Sequence, residues 1–181
     1  MVRINVSQQL KSPVGSTRDY EVAEVVDIAG GDSMVEGKVT LVHTGRGILA
    51  KARLYTEVEL TCSRCLSSFD YPLRLNFEEE YFPVTNVVSG VSLSLPDELG
   101  SFTIDEHHVL DLTEAIRQYA LLATPMKPLC REDCAGLCSN CGHNLNQGPC
   151  DCPQQADPRW SKLSELASDD SVLATKRKEV K

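Results

Sequence analysis

The sequence has neither a long hydrophobic run nor a leader-like opening. No apolar stretch approaches the about 18 residues that a membrane-spanning helix needs. Residues 1–6 alternate apolar and polar side chains, whereas a secretory leader joins a charged start to an apolar run and a small-residue cleavage site. These absences predict a cytoplasmic protein with no membrane association. In that reducing compartment, clustered cysteines favour metal binding over disulfides.

Positive charge is also scarce. The chain has 18 Lys and Arg against 26 Asp and Glu, which gives a formal net charge of -8 and a pI near 5.0. Nonspecific affinity for nucleic acid comes from neutralising phosphates, so this balance excludes a protein that coats nucleic acid by charge alone. Any contact with RNA is therefore expected at local basic positions.

Signatures of common enzyme classes are missing too. The sequence contains no phosphate-cradling Gly-rich loop, no Gly-x-Ser-x-Gly elbow and no His-x-Glu with the Pro-Cys-x-x-Cys of zinc deaminases. We therefore expect a protein that is not an enzyme, with no catalytic residues and no small-molecule substrate.

What the chain has in abundance is cysteine within one short stretch. Six of its eight cysteines lie between Cys130 and Cys152, in a polar segment rich in Gly and Asn. Such a segment has few apolar side chains to bury, so something other than a core must offset the entropy of ordering it. Zinc bound by four thiolates can do so, because roughly 10 to 16 kcal/mol of apparent binding energy becomes folding energy. At least one zinc ion is predicted.

The spacing within this stretch indicates one site. Cys138 and Cys141 form a Cys-x-x-Cys-Gly zinc knuckle, in which two thiolates reach one tetrahedral ion and Gly142 permits a positive φ. The nearest further pair is Cys150 and Cys152, and the Gly-Pro turn before it is able to return the chain to the knuckle. These four cysteines are assigned to one ion.

The other four cysteines make a second possible set. Cys62 and Cys65, combined with Cys130 and Cys134, would tie the C-terminal segment to a distant point of the chain. The competing assignment places one zinc on the four cysteines within residues 130–141 and leaves the others as thiols, a disulfide or weakly occupied ligands. Sequence does not fix this connectivity, so both one and two zinc ions agree with the spacing.

Alternation of apolar and polar residues predicts several strands. A short one is expected at residues 2–6, and longer ones at 35–43, 50–60 and 69–81, with a hairpin loop at 44–47. Residues 19–27 fit either a strand or an edge element, residues 84–99 a loop, and residues 102–104 a short strand. Cys62 and Cys65 thus cap a hairpin between the two longest strands.

One helix is clearly indicated between Asp111 and Pro125. Asp111 and Glu114 have the spacing of a capping box, and an apolar stripe recurs at helical spacing until the proline. The stripe, expected to pack on the sheet, is Leu112, Ala115, Ile116, Tyr119 and Leu122. A second, short helix is expected from Asp157, with Trp160 in its apolar stripe.

These patterns predict a β-rich α+β fold. Its main element is an antiparallel sheet or partly closed barrel with one packed helix, and a β-sandwich is the alternative. Residues 1–128 are expected to form the β-rich domain with one helix. Residues 129–167 would form the cysteine-rich zinc module with a short helix, and residues 168–181 a disordered tail.

Several motifs together resemble a known family. They are the strand pair joined by Cys-x-Arg-Cys, the helix ending in Pro-x-x-Pro, and a final Asp-Pro-Arg-x-x-x-Leu. Between the last two, residues 129–146 read Leu-Cys-Arg-Glu-Asp-Cys-Ala-Gly-Leu-Cys-Ser-Asn-Cys-Gly-His-Asn-Leu-Asn. The pattern spans nearly the whole chain and resembles the bacterial YceD family of large ribosomal RNA subunit accumulation proteins.

The resemblance implies involvement in large-subunit ribosomal RNA accumulation or processing, without implying a catalytic mechanism. Some family members lack much of the C-terminal cysteine run and keep the Cys-x-x-Cys hairpin. This implies that the site with Cys62 and Cys65 matters to the fold or to partner contact. It also favours joining these two residues with Cys130 and Cys134.

The leading functional hypothesis is a non-enzymatic factor in ribosome biogenesis. In it, a β-rich domain held by structural zinc presents a surface to ribosomal RNA or to a large-subunit ribosomal protein. Two four-cysteine sites would be closed, whereas catalytic zinc keeps an open position. The candidate RNA contacts are Arg46, Arg64 and Arg131. The alternative is a redox- or metal-responsive regulator that uses Cys62 and Cys65 as a reactive dithiol.

Overall fold

The computed structural model describes residues 1–28, 30–94, 100–152 and 159. Seven strands and two helices lie in these residues. The strands are β1 (Arg3–Asn5), β2 (Thr17–Ile28), β3 (Gly31–His43), β4 (Ile48–Thr61), β5 (Ser68–Pro83), β6 (Phe102–Ile104) and β7 (Val109–Asp111). The helices are α1 (Ser7–Leu10) and α2 (Thr113–Ala123).

The strands form one half-barrel sheet in the order β1-β7-β6-β5-β4-β3-β2. Every neighbouring pair is antiparallel except β5 and β6, which run parallel. The short N-terminal strand therefore lies at one edge and the long β2 at the other. This confirms the β-rich α+β prediction with a partly closed sheet, and it resolves residues 19–27 as part of an edge strand.

Alternation explains why the two longest strands, β4 and β5, form a sheet with one apolar face. Along β4, the side chains from Ala50 to Val58 alternate between buried and exposed positions, and β5 does the same from Leu73 to Phe77. Because successive side chains in a strand point to opposite faces, each strand contributes one row to the core. The core also receives Ala115, Ile116 and Ala120 of α2.

Two details of the predicted helix are wrong. Leu122 is 78% exposed, because it lies on the last turn before α2 ends at Ala123 and does not face the core. The capping box does not form either. Asp111 ends β7, its carboxylate accepts hydrogen bonds from Arg3 Nε and the Thr113 amide, and the N-cap Leu112 has no side-chain cap bond.

Three further elements differ from the expectation. The strand β7 and the short helix α1 were not predicted, since neither segment shows a clear alternation or helical period over its three or four residues. The parallel pairing of β5 with β6 departs from a purely antiparallel sheet. The expected helix from Asp157 and the expected tail at 168–181 lie outside the described residues, apart from Arg159.

The chain divides into two units, Met1–Cys134 and Ala135–Lys181. All seven strands and both helices belong to the first unit. Residues 135–152 of the second unit are described and consist mainly of turns with one isolated bridge, Leu137 with Asn144. Neither described helix has the length and apolar character needed to span a membrane.

Candidate metal centres

The end of the β4–β5 hairpin positions the first pair of cysteines. The two strands pair as far as Thr61 and Ser68, which leaves six residues for the turn. Within it, the Cys62 amide donates to the Ser67 carbonyl (2.9 Å) and the Leu66 amide donates to the Cys62 carbonyl (3.0 Å). These bonds close a tight knuckle around Cys62 and Cys65.

A backbone contact brings the second pair to this knuckle. The Ser63 amide donates to the Pro128 carbonyl (2.8 Å), so the segment after α2 lies against the hairpin end. Arg64 strengthens the contact by donating from its Nη1 to the Cys134 carbonyl at 3.0 Å. Cys130 and Cys134 are thereby held beside Cys62 and Cys65.

The four sulfurs of Cys62, Cys65, Cys130 and Cys134, here called the hairpin cluster, lie within 4.8 Å of one another. Cys62 Sγ is 3.8 Å from Cys134 Sγ, and Cys65 Sγ is 3.7 Å from Cys130 Sγ. Tetrahedral zinc with Zn–S bonds of about 2.3 Å places its sulfurs about 3.8 Å apart. The cluster therefore has the dimensions of a single tetrahedral metal site, and all four residues are free cysteines.

The remaining sulfurs, those of Cys138, Cys141, Cys150 and Cys152, also lie within 4.8 Å of one another and are called the distal cluster. Their knuckle is closed by two backbone bonds. The Cys138 amide donates to the His143 carbonyl (2.8 Å), and the Gly142 amide donates to the Cys138 carbonyl (2.9 Å). This set of thiols could also hold one metal ion.

The two knuckles share one backbone geometry but differ at one residue. In each, the first cysteine accepts a bond from the residue four positions on and donates to the carbonyl five positions on. The residue that follows the second cysteine has a positive φ, 74° at Gly142 and 57° at Leu66. A side chain there costs about 1–2 kcal/mol relative to glycine. The positive φ of Leu66 was not predicted, although the alignment of Leu66 with Gly142 in the two knuckles was the available signal.

Burial separates the two clusters. In the hairpin cluster, Cys62, Cys65 and Cys134 are buried and Cys130 is half-buried. In the distal cluster none of the four is buried, and Cys141 is exposed. Solvent and reagents therefore have easier access to the distal cluster.

Backbone amides make one sulfur in each cluster easy to ionise. The pKa of Cys62 is lowered to about 6, because the amide of Cys130 and then that of Cys65 donate to its sulfur. The pKa of Cys138 is likewise lowered to about 6 by the amides of Cys141 and Asn140. Since the thiolate is the metal-binding form, the first cysteine of each knuckle is prepared to bind a cation.

Other sulfurs resist ionisation while these are charged. Burial, together with the neighbouring Cys65 sulfur, raises the pKa of Cys130 to about 12. The Cys141 sulfur and burial raise the pKa of Cys152 to about 12. Accumulating negative charge among four close sulfurs is unfavourable by itself, and a bound cation would remove that cost.

The arrangement of sulfurs discriminates between the groupings considered from the sequence. The described residues contain two groups of four sulfurs. One group joins Cys62 and Cys65 with Cys130 and Cys134, and the other is the distal cluster. The competing set of four cysteines within residues 130–141 is not one of them. His143 joins the distal knuckle through its carbonyl oxygen.

The three arginines predicted as RNA contacts all have protein partners. Arg46 lies 2.8 Å from Glu80 and its guanidinium sits 5.5 Å from the centre of the Phe82 ring. Arg64 donates to the Cys134 carbonyl, and Arg131 lies 3.4 Å from Asp133. Arg64 lies between Cys62 and Cys65, and Arg131 between Cys130 and Cys134, whereas Arg46 belongs to the β3–β4 loop.

Comparison with known proteins places this cysteine arrangement in a family. The model of the family described as "Large ribosomal RNA subunit accumulation protein YceD" matches residues 50–167, a range that includes all eight cysteines. Uncharacterized proteins of Mycobacterium tuberculosis and Mycobacterium bovis are each 31% identical over 148 residues, which cover 82% of this chain and 69% of theirs. An uncharacterized protein of Mycobacterium leprae is 26% identical over 148 residues, covering 80% of this chain and 58% of its own. No solved structure matches.

Proposed function

Because the chain belongs to the YceD family, whose description names accumulation of the large ribosomal RNA subunit, we propose that it is a non-enzymatic factor in ribosome biogenesis. The observation that carries the proposal is the pair of four-thiol clusters inside the matched residues. Four thiols per cluster suit a closed structural site, which leaves no coordination position for a reacting water.

Zinc is the proposed metal for both clusters. Its preference for tetrahedral thiolate coordination agrees with sulfur separations of 3.7 and 3.8 Å in the hairpin cluster. When bound, the ion would supply folding energy by joining the end of the β4–β5 hairpin to the segment after α2. The protein's residues would then present a fixed surface beside that junction.

The proposed partner is ribosomal RNA or a large-subunit ribosomal protein, in the cytoplasm, with no membrane and no small-molecule substrate. Arg46, Arg64 and Arg131 remain the proposed positions of direct RNA contact. Arg64 is held beside the proposed metal site, since its bond to the Cys134 carbonyl orients the guanidinium next to the hairpin cluster. A fixed guanidinium loses less side-chain entropy when it binds a phosphate.

The experiment that tests this function is complementation in a strain that lacks the gene. We expect the ratio of large-subunit to small-subunit ribosomal RNA to fall in the deletion strain and to recover with the wild-type gene. Cys62→Ser/Cys65→Ser should fail to restore it, whereas Glu59→Gln, an exposed position on β4, should restore it. An unchanged ratio in the deletion strain contradicts the proposed function.

A redox- or metal-responsive regulator is the second candidate. The lowered pKa of Cys62 favours it, since reactivity follows thiolate character. Burial of Cys62 and Cys65 opposes it, because a sensor thiol needs access to its oxidant. The candidate requires that a mild oxidant modify Cys62 or Cys65 before any cysteine of the distal cluster.

A further inference from the structure

The two edges of the sheet face each other across a gap. β1 and β2 are its terminal strands, and they do not pair with each other. Between them lies a cavity of about 530 Å³, lined by residues 1–5 on one side and residues 20–24 on the other. The Met1 nitrogen closes one end of the gap, 3.3 Å from the Val25 carbonyl, and the half-barrel is open beyond that contact.

Backbone groups of β2 point into the gap. The Val25 carbonyl accepts from the Met1 nitrogen (3.3 Å), and the Asp27 carbonyl accepts from Arg117 Nε (3.4 Å), so both carbonyls face away from β3. Because backbone polar groups alternate between the two sides of a strand, those of Ala23 and Glu21 face the same way. In the described part of the chain, the amides and carbonyls of these two residues have no backbone partner on that side.

The backbone of β1 supplies the opposite wall. The Val2 carbonyl accepts from the Leu112 amide, and the Val6 amide donates to the His108 carbonyl, so the even-numbered residues face β7. By the same alternation, the backbone groups of Arg3 and Asn5 face the gap. Both walls thus offer the free donors and acceptors of an edge strand.

The side chains around the gap have a consistent character. Val22 is buried, and Tyr20 and Ile4 pack partly exposed against the core, which makes the interior wall apolar. Glu21 and Glu24 are exposed at the rim, and the Glu24 carboxylate lies 3.7 Å from the Met1 ammonium. The one basic side chain of the lining, Arg3, is held by Asp111 at 2.8 Å.

We propose that the gap between β1 and β2 binds an extended, lysine- and arginine-rich segment of a partner protein, which adds to the sheet as a strand. Free backbone edges provide the hydrogen bonds of strand addition, and the apolar wall accepts alternate side chains. The Glu21 carboxylate at the rim and the net charge of -8 of the whole chain attract a basic polypeptide and repel a polyanion. The inference rests on the proposed function only for the class of partner, a large-subunit ribosomal protein.

Direct binding to the purified, metal-loaded full chain tests the proposal. The probe is a fluorescein-labelled, acetylated nine-residue peptide that alternates lysine with valine, and binding is followed by fluorescence anisotropy. We expect saturable binding and, by NMR, new exchange protection of the Glu21, Ala23, Arg3 and Asn5 amides. A peptide methylated at alternate backbone nitrogens keeps its charge but loses donors, so it should bind about tenfold or more weakly, roughly the effect of one or two lost hydrogen bonds.

Ala23→Pro is the matched variant. Its amide points away from β3, so proline removes no bond of the sheet and is tolerated at an edge. We expect an unchanged thermal midpoint and an about tenfold loss of peptide affinity. Should the proline unfold the edge, Glu21→Lys/Glu24→Lys provides the second test. Its control is Glu59→Lys, which makes the same change of charge at one site on β4 that does not line the gap. The double substitution should weaken peptide binding strongly, and Glu59→Lys should weaken it only slightly.

Three results overturn the proposal. One is equal binding of the methylated peptide, which would indicate charge attraction without strand addition. Another is peptide protection of amides elsewhere than in β1 and β2. The third is protection of these amides by a nine-nucleotide RNA and not by the peptide. None of these results changes the ribosomal RNA ratio of the deletion strain, so failure here is distinguishable from failure of the proposed function.

Discussion

Cys62 Sγ lies 3.8 Å from Cys134 Sγ, although the two residues are 72 positions apart in the chain. A separation so close to the edge of a tetrahedral thiolate site requires the β4–β5 hairpin and the segment after α2 to meet in the folded state. One ion at this position would link the end of the β4–β5 hairpin to the segment after α2. These two parts of the first unit contain the cysteines that lie farthest apart in its sequence.

Metal content is the first quantity to measure. The wild-type protein, purified under reducing conditions, is expected to contain two zinc ions per chain, because two closed sets of four thiols are present. Cys62→Ser/Cys65→Ser and Cys138→Ser/Cys141→Ser should each contain one. Elemental analysis against protein concentration checks this, and a single ion in the wild type with no loss in the first variant contradicts it.

Leu66→Gly is expected to stabilise the protein. Relief of a positive φ yields about 1–2 kcal/mol, while the extra freedom of glycine in the unfolded chain costs about 0.4–1 kcal/mol. The net gain is roughly 0.5–1 kcal/mol, since the Leu66 side chain is 65% exposed and little packing is lost. Denaturant unfolding of the metal-loaded protein measures it.

The reverse exchange is the control. Gly142→Leu places a side chain at φ 74° in the distal knuckle and should weaken metal binding there. A chelator competition that finds no weakening, together with no stabilisation by Leu66→Gly, would refute the equivalence of the two knuckles.

Gly37→Ala is expected to destabilise the sheet by several kcal/mol. Gly37 has φ 145°, and a Cβ there would overlap the carbonyl oxygen of Arg53 on β4. Relieving this overlap requires β3 and β4 to move apart, and such overpacking of a sheet is strongly destabilising. Gly45→Ala in the β3–β4 loop is the matched control, because nothing lies within 4 Å of its Cβ. Equal thermal midpoints for the two variants would contradict the expectation.

The strands β4 and β5 were predictable from sequence because a clean alternation becomes more distinctive the longer it continues. The rows on β4 and β5 alternate over many residues, so their pairing and their buried faces were evident. The strand β7 has three residues and was missed. The gap between β1 and β2 was also out of reach, since it depends on strand order, which alternation does not encode.

The cysteine groups were partly predictable for a different reason. Local spacing identifies the knuckles, but the partners of Cys62 and Cys65 depend on the long-range bond between Ser63 and Pro128. Similarly, charge alone suggested Arg46 as an RNA contact. Its ion pair with Glu80 arises only because β3, β4 and β5 lie side by side in the sheet.

Loss of the hydroxyl group is expected to change the free energy of unfolding differently at two tyrosines. Tyr119 donates to Glu79 at 2.6 Å, and its ring stacks on Phe77, so Tyr119→Phe should cost about 1–2 kcal/mol. The Tyr81 hydroxyl is buried and has no hydrogen-bond partner in the described part of the chain. Tyr81→Phe should therefore be neutral or stabilising by about 1 kcal/mol. Denaturant unfolding at neutral pH compares the two, and equal losses contradict the distinction.

The same tyrosines predict alkaline sensitivity. The bond to Glu79, followed by burial, raises the pKa of Tyr119, and burial raises the pKa of Tyr81. A pKa that is higher in the folded than in the unfolded state leaves stability intact below the unfolded value and reduces it as pH rises above that value. The free energy of unfolding should thus decline above about pH 10. Tyr81→Phe should flatten that decline, and an unaltered slope in this variant would count against a perturbed Tyr81.

Metal loss is expected to proceed in two steps, with the distal cluster first. Three sulfurs of the hairpin cluster are buried, whereas none of the distal cluster is, and Cys141 is exposed. Treatment with a thiol-alkylating reagent should release one ion rapidly and the second on the order of tenfold or more slowly, because modification requires access to the thiolate. Mass spectrometry of partly reacted protein should find label at Cys138 and Cys141 before Cys62 and Cys65. Cys138→Ser/Cys141→Ser should lose the fast phase and keep the slow one. Early labelling of Cys62 would instead show that its low pKa outweighs its burial, and the regulator would then explain the hairpin cysteines better than a structural zinc site.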